Sequence, residues 1–205
     1  YDQLNRQANR FANALMRDGI QPGDRILLVL PNCPEFIVAY YGALKAGVVV
    51  VLPNPDATVL SLIKQARRTS SRIVVTLDAY QQIANALRER TSVEQTIFVD
   101  IRKYIEEKTY HQLLRSAGVN IVADAPGIDA ASRFDAWIAD ASEAAPDLDI
   151  DPHALANITF TSGTTDIPKG VCLTHYNLVA NAMQTRHWVP DLVYGQEVFL
   201  SVLPF

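Results

Sequence analysis

The sequence predicts an α/β protein in which helices cover a mostly parallel β-sheet, and two observations carry this prediction. Short runs dominated by apolar residues recur at 25–30, 48–52 and 72–76, and segments with helical periodicity separate them. Strands without a polar face are typical of parallel sheets that are buried on both sides. The composition agrees, because 49% of the 205 residues are apolar and 20% are charged, which allows a sizeable core.

The first part of the chain is predicted to run helix, turn, strand, helix, strand. The opening helix lies within residues 1–20, where apolar side chains recur at helical spacing until Gly19. A proline–glycine turn then leads into the strand at 25–30. The second helix ends at Gly47, and the apolar strand 48–52 begins directly after it.

The alternation of helices and strands continues to about residue 100. The pattern predicts a helix over 58–70, a strand over 72–76, a helix over 79–90 and a strand over 96–99. Residues 1–100 are therefore interpreted as one α/β unit.

Residues 101–152 are less regular and are interpreted as a connecting segment. Their pattern predicts a mixed-charge helix over 104–117, a short strand over 119–122 and a turn at 125–127. A further short helix carries Trp137 among other apolar residues. We favour a core position for this ring over a ligand-binding role, because aromatic stripes usually bury area.

Residues 153–205 form the third segment, and its stretch ITFTSGTTDIPKGVCLTHYN carries the chemical signal of the chain. Between Thr161 and Lys169, nine positions hold four hydroxyl side chains, a glycine, a proline and a lysine. Small residues let backbone N–H groups approach an anion, hydroxyls add hydrogen bonds, and the lysine supplies charge. The predicted phosphate-binding residues are Thr161, Ser162, Gly163, Thr164, Thr165, Lys169 and Gly170.

This loop differs from the Walker P-loop, G-x-x-x-x-G-K-[ST]. Pro168 precedes the lysine and Gly170 follows it, so the pattern fails on both sides. The apolar run after Gly170 predicts a second strand instead of a helix, followed by a helix over 176–188 and a strand over 197–203. The local arrangement is therefore strand, loop, strand.

The loop resembles the phosphate-loop signature of the adenylate-forming, AMP-binding enzymes, T-S-G-T-T-G-x-P-K-G-V followed by L-x-H-x-N-L, here at 161–171 and 173–178. Other motifs of this family stand in the expected order earlier in the chain: P-G-D at 22–24, L-P-N at 30–32, P-E-F at 34–36 and G-A-L-K-A-G at 42–47. The resemblance covers essentially the whole chain but less than half of a typical member. It implies the incomplete first part of the large N-terminal domain, with the C-terminal domain absent.

The resemblance further implies a ligase that uses ATP and Mg²⁺ to convert a carboxylic acid into an acyl-adenylate, and then passes the acyl group to CoA. The ending V-L-P-F and the long segment between 77 and 155 look most like acyl-CoA synthetases for medium- to long-chain fatty acids. By the same resemblance, Thr161 reaches the Mg²⁺ and Lys169 offsets phosphate charge. None of the family's catalytic residues falls within this chain, which alone is expected to be inactive.

Asp166 departs from the family pattern, which has glycine or serine at this position. Aspartate tolerates a turn with positive φ better than most residues, but a carboxylate beside bound polyphosphate would repel it. This departure leaves open a non-catalytic nucleotide- or phosphate-binding homologue. A separate alternative is an adenylating enzyme for another acid, such as an aryl acid, an amino acid or the substrate of a fatty acyl-AMP ligase, because by the resemblance the pocket residues that select the acid lie beyond Phe205.

Charge and hydropathy restrict the partners of the protein. The net charge is −4 and no basic run occurs, which argues against nucleic acid. The purely apolar run 48–52 is far too short to cross a bilayer. We expect a cytoplasmic protein with small-molecule substrates, and leave peripheral membrane contact and the oligomeric state open.

The cysteines and histidines add no second catalytic signal. Cys33 and Cys172 are far apart and lack metal-ligand spacing, so neither a disulfide nor a zinc site is indicated. Cys172 is flanked by apolar residues and is interpreted as a small buried hydrophobe in preference to a nucleophile. His175 is assigned a structural role at the next helix, for which Thr174 or Asn177 offers a cap.

Overall fold

A computed structural model describes residues 1–54, 57–116, 127–161, 168–189, 191–193 and 195–198. The helices are α1 (Asp2–Arg17), α2 (Pro34–Lys45), α3 (Val59–Thr69), α4 (Gln81–Arg90), α5 (Glu107–Ser116), α6 (Phe134–Ile138) and α7 (His175–Trp188). The strands are β1 (Arg25–Val29), β2 (Val49–Leu52), β3 (Ile73–Leu77), β4 (Gln95–Val99), β5 (Leu155–Phe160) and β6 (Gly170–Thr174).

The strands form one six-stranded sheet in the order β4-β3-β1-β2-β5-β6. The first five strands along the chain run parallel, and only β6 is antiparallel to its neighbour β5. The interior strands β2 and β3 read VVVL and IVVTL and are buried along their whole length, as expected for strands with helices on both faces. The predicted α/β fold with a mostly parallel sheet is confirmed.

On one face of the sheet, α1 and α2 pack closely against each other. Phe11 and Leu15 of α1 are fully buried in this layer. At Gly42 of α2, an added Cβ atom would lie 2.7 Å from the carbonyl oxygen of Ala8 and 2.8 Å from the Cβ atom of Phe11. The two helices approach this closely because Gly42 has no side chain.

On the opposite face, α3 and α4 cover the sheet. Leu62, Ile63 and Ala66 of α3 and Leu87 of α4 are buried against apolar side chains of the central strands. Helices on both faces give the sheet two separate apolar clusters, which explains why its central strands carry no polar face.

The short helix α6 joins the first layer through its aromatic residues. The ring of Trp137 is buried and meets the ring of Phe11 edge-on, with a centroid distance of 5.1 Å. The indole N–H of Trp137 donates a hydrogen bond to Asp18 Oδ2 at 2.8 Å. The interpretation of Trp137 as a core residue is confirmed.

The predicted elements recur with small shifts at their ends. The helix predicted over 104–117 begins at Glu107, because Tyr104 lies in a turn and donates its hydroxyl hydrogen to Glu35 at 2.9 Å. The strand predicted over 119–122 lies outside the described residues, and so does most of the strand predicted over 197–203. The division into three segments stays a prediction.

Candidate phosphate-binding site

The phosphate loop follows β5 at the carboxyl end of the sheet. β5 runs parallel to β2, so the chain leaves it at the edge where the other parallel strands also end. This edge is the usual place for ligands in open α/β sheets. Of the predicted site residues, Thr161, Lys169 and Gly170 are described, whereas Ser162, Gly163, Thr164, Thr165 and Asp166 lie outside the described residues.

Backbone pairing closes the base of the loop. Phe160 pairs with Gly170, and the backbone N–H of Thr161 donates to the carbonyl oxygen of Lys169 at 3.0 Å. Thr161 and Lys169 are both exposed. The structure therefore brings a hydroxyl-bearing and an ammonium-bearing residue to the same edge of the sheet, open to solvent, as an anion site requires.

Packing explains why residue 170 is a glycine, and the sequence did not reveal this. A Cβ atom added there would lie 2.9 Å from Cγ2 of Ile158 and 3.4 Å from the ring of Phe160. The absence of a side chain lets β6 lie flat against β5 at the mouth of the loop. Contact between Gly170 and phosphate stays a prediction.

Cys172 is exposed, so the expectation that it is a buried hydrophobe is wrong. The physical reason is its place on β6, which is the edge strand of the sheet. Val171 beside it is also exposed, and among the described residues no element covers this part of the strand. A short apolar sequence predicted a strand here correctly, but it did not reveal that the strand lies at an edge.

The transition from β6 to α7 is fixed by a reciprocal cap. Thr174 Oγ1 accepts from the backbone N–H of Asn177 at 3.1 Å, and Asn177 Oδ1 accepts from the backbone N–H of Thr174 at 3.0 Å. Both residues therefore cap the helix, which stabilises its first turn.

His175, the first residue of α7, is built into this turn. Its backbone N–H donates to the carbonyl oxygen of Ala154 at 3.2 Å, which ties the helix start to the chain before β5. Burial lowers the pKa of His175, so the ring is neutral near pH 7. Its Nε2 atom is buried and has no hydrogen-bond partner among the described residues. The backbone hydrogen bond to Ala154 supports the structural role of His175.

Arg68 is a contact of the loop that the sequence did not suggest. Its Nη1 atom donates to the carbonyl oxygen of Pro168 at 3.0 Å. The two residues are 100 positions apart. Arg68 belongs to α3, and Pro168 belongs to the second arm of the loop, residues 168 and 169, which leads into β6. No local pattern marks such a pair, since an exposed arginine near a helix end is common.

A second group of charged residues lies where β3 and β4 end. Asp78 accepts hydrogen bonds from the hydroxyl of Tyr110 at 3.2 Å and from Arg102 at 3.0 Å. Hydrogen bonds from Arg102 also hold the pKa of Asp100 below its ordinary value. These charges satisfy one another, which indicates a structural ion-pair network.

The network continues beside a cavity of about 270 Å³. Lys103 contacts buried Glu35 at 2.7 Å and Asp135 at 2.8 Å. Burial by itself would lower the pKa of Lys103, but its hydrogen bonds to Asp135 and Glu35 outweigh that effect and raise the pKa. The ammonium group is already engaged by two carboxylates, so the cavity presents no free cation from Lys103.

The described residues contain no group of three or more histidine, cysteine or acidic side chains arranged to hold a metal ion. Both cysteines are free. Of the helices in the described ranges, none has the length and apolar character required to traverse a lipid bilayer.

A helix-covered, mostly parallel sheet with a hydroxyl- and lysine-bearing loop sequence after one of its strands is typical of α/β proteins that bind nucleotides or phosphate. Comparison with known proteins gives the family. The AMP-binding enzyme family matches residues 1–205, and the chain belongs to that family.

The chain is 32% identical over 205 residues to a long-chain-fatty-acid–CoA ligase of Bacillus subtilis, covering 97% of this chain and 36% of that protein. It is 33% identical over 199 residues to a probable 4-coumarate–CoA ligase 1 of Dictyostelium discoideum, covering 96% and 34%. The solved structure of ATP-bound MatB from Rhodopseudomonas palustris matches with a TM-score of 0.68 and 25% identity, covering 92% and 32%. The chain thus spans about a third of the length of these curated relatives.

Proposed function

We propose that the protein to which this chain belongs activates a carboxylic acid with ATP and transfers the acyl group to CoA. The observation that carries the proposal is the phosphate-loop motif at the carboxyl end of β5, in a chain of the AMP-binding enzyme family. The relatives reported above are CoA ligases, and MatB is known with ATP bound. The 205-residue chain alone is proposed to be inactive, because it is about a third of such an enzyme.

The reaction has two steps. A carboxylate oxygen attacks the α-phosphorus of ATP, pyrophosphate leaves, and an acyl-adenylate forms. The sulfur of CoA then attacks the acyl carbonyl carbon, AMP leaves, and the thiol proton is released. The task of the loop is to hold the β- and γ-phosphates so that pyrophosphate departs in line, with charge offset by the ammonium group of Lys169.

Mg²⁺ fits this site as a companion of the nucleotide. Thr161 offers an exposed hydroxyl oxygen, the hard ligand type that Mg²⁺ accepts, while the described residues provide no metal-binding cluster of their own. When bound, Mg²⁺ neutralises charge on the phosphates. We propose Thr161 as its contact on this chain.

The acid is proposed to be a medium- to long-chain fatty acid. The comparisons leave aryl acids as the competing class, because identity to the fatty acid ligase and to the 4-coumarate ligase differs by a single percentage point, 32% against 33%. Asp166 supports a third reading, a homologue that binds nucleotide without catalysis, because its carboxylate would repel polyphosphate.

Pyrophosphate exchange tests these possibilities. The full-length protein is given MgATP, labelled pyrophosphate and one acid at a time, from acetate to palmitate, with benzoate and 4-coumarate as the aryl series. Exchange that is greatest with the longer fatty acids supports the proposal. Exchange confined to aryl acids would make aryl acids the substrate class instead. ATP binding without exchange for any acid would establish the non-catalytic reading.

We also propose a cytoplasmic location. Both cysteines are free, as is usual in a reducing compartment.

A further inference from the structure

The second arm of the phosphate loop is held by two different elements. The carbonyl oxygen of Lys169 accepts from the backbone N–H of Thr161, which belongs to the β5 side. The preceding carbonyl oxygen, that of Pro168, accepts from the side chain of Arg68 on α3 at 3.0 Å. Two consecutive carbonyl groups, one on each side of the Cα atom of Lys169, are therefore fixed by separate partners.

Arg68 extends from a helix that is firmly built into the core. Leu62, Ile63 and Ala66 bury one side of α3 against the sheet. The end of the helix is tied to β1, since Nε of Arg25 donates to the carbonyl oxygen of Thr69 at 2.6 Å. The guanidinium of Arg68 thus reaches the loop from a fixed base, and its several N–H donors suit a backbone carbonyl.

We propose that Arg68 is a positioning residue of the phosphate loop. By holding the carbonyl of Pro168, it sets the direction of the backbone at Lys169 and so directs the ammonium group of Lys169 toward the phosphates. This inference rests on the proposed function of the loop. Arg68 acts through Lys169 and does not itself have to touch the nucleotide.

Arg67 provides a matched control within the same turn of α3. It is also exposed, and its Nε atom also donates to a backbone carbonyl, that of Arg90 at 2.6 Å. The partner of Arg67 is the end of α4 and not the loop. Arg67→Gln and Arg68→Gln remove the same charge from the same helix, but only the second removes the contact with Pro168.

The first experiment measures pyrophosphate exchange in the full-length protein. Arg68→Gln is expected to raise KM for MgATP by about threefold to tenfold, the loss typical of one hydrogen bond, with a smaller change in kcat. Arg67→Gln is expected to change KM by less than about twofold, because surface charge alone contributes little. An equal rise in both variants would mean that charge and not position matters, and would overturn the inference.

The second experiment needs no nucleotide. Hydrogen–deuterium exchange is followed in peptides that cover 155–161 and 168–174. Faster exchange in Arg68→Gln but not in Arg67→Gln is expected, since the Thr161 amide loses support for its bond to Lys169. Unchanged exchange in Arg68→Gln would overturn the positioning role. If the wild type exchanges pyrophosphate with none of the acids, the proposed function is refuted instead. The hydrogen–deuterium exchange result still tests whether Arg68 positions the loop.

Discussion

The first α/β unit and the hairpin–helix region, residues 155–189, are stabilised in different ways. In the first unit, α1 alone buries six residues, and both faces of the sheet are covered. In the hairpin–helix region, α7 buries none of its residues, and Met183, Val179 and Trp188 are 59%, 63% and 85% exposed. The apolar residues of α7 also do not gather on one side of the helix.

This difference separates stability from function. The core of the first unit supplies the apolar burial that stabilises the fold. The phosphate loop belongs to the hairpin–helix region, where it connects β5, which pairs with β2 of the first unit, to the edge strand β6. Loss of a buried side chain in the first unit should therefore lower stability, while loss of the exposed Lys169 side chain at the loop should lower activity alone.

The largest difference between the two regions is expected when one aromatic side chain is removed from each. Phe11→Ala deletes a fully buried ring and is expected to cost about 3–5 kcal/mol of unfolding free energy. Trp188→Ala deletes a largely exposed ring and is expected to change it by less than about 0.5 kcal/mol. Urea denaturation of both variants gives the two values. Similar losses would show that α7 is packed in solution and that the contrast is wrong.

The loop provides the next largest effect, on activity. Lys169→Ala removes a cation from the phosphate site and is expected to slow pyrophosphate exchange about tenfold to a hundredfold, since a charged hydrogen bond contributes about 1.5–3 kcal/mol. The melting temperature should not change, because Lys169 is exposed. Lys64→Ala, at an exposed lysine on α3, is the control and should leave exchange intact. Normal exchange in Lys169→Ala would remove Lys169 from the site.

Two glycines at close contacts, one in each region, provide a further test of this difference in packing. Gly42→Ala drives a methyl group against the backbone oxygen of Ala8 in the core, and we expect a loss of about 1–3 kcal/mol. Gly170→Ala meets the side chain of Ile158 beside the sheet edge, which can turn away, so its loss should be smaller. Thermal unfolding of the pair checks the order, and a larger loss at Gly170 would contradict it.

A smaller effect is expected at Asp166. Asp166→Gly restores the usual residue of the family motif and removes a carboxylate that would repel phosphate. KM for MgATP in pyrophosphate exchange should fall or stay the same. If KM rises, the carboxylate contributes to the site, for example by holding water around Mg²⁺.

The smallest effect concerns pH and belongs to the first unit. Burial by itself would raise the pKa of Asp18, but hydrogen bonds from Gln95, Arg17 and Trp137 outweigh it and lower the pKa below the ordinary value of 3.8. Because the folded pKa is the lower one, Asp18 stabilises the fold above the unfolded pKa, and this contribution is lost as pH falls through the folded pKa.

Asp18→Asn should therefore destabilise the protein at pH 7, and the difference from wild type should shrink toward pH 3. Urea denaturation at both pH values measures it, with Asp140→Asn at an exposed position as the control. A difference that stays constant with pH would show that the charge of Asp18 is not responsible.

Local sequence patterns predicted most of the first unit. Phe11 stands in a helical repeat of apolar residues, and the strands around Leu27 and Val50 are short apolar runs between turn signals. Such patterns depend on neighbours within a few residues, so they can be recognised without knowledge of the fold. The motif from Thr161 to Lys169 is likewise contiguous, which explains why the candidate loop was recognisable.

The features that the sequence did not predict depend on residues that are far apart in the sequence. The burial of Cys172 could not be predicted, because a central strand and an edge strand have the same local composition. The close approach behind Gly42 is set by another helix, α1. The contact between Arg68 and Pro168 arises only when α3 and the loop meet in space.

The exposure of Cys172 gives the chain a natural handle for labelling. Burial raises the pKa of Cys33 to about 12, so its thiol is almost never ionised near neutral pH and reacts slowly with alkylating dyes. Cys172 stands open to solvent on β6, two residues after Gly170. A maleimide fluorophore added to the unmodified chain should therefore attach at Cys172 alone. Its emission would then report events in the adjacent loop in real time, without any cysteine being introduced or removed.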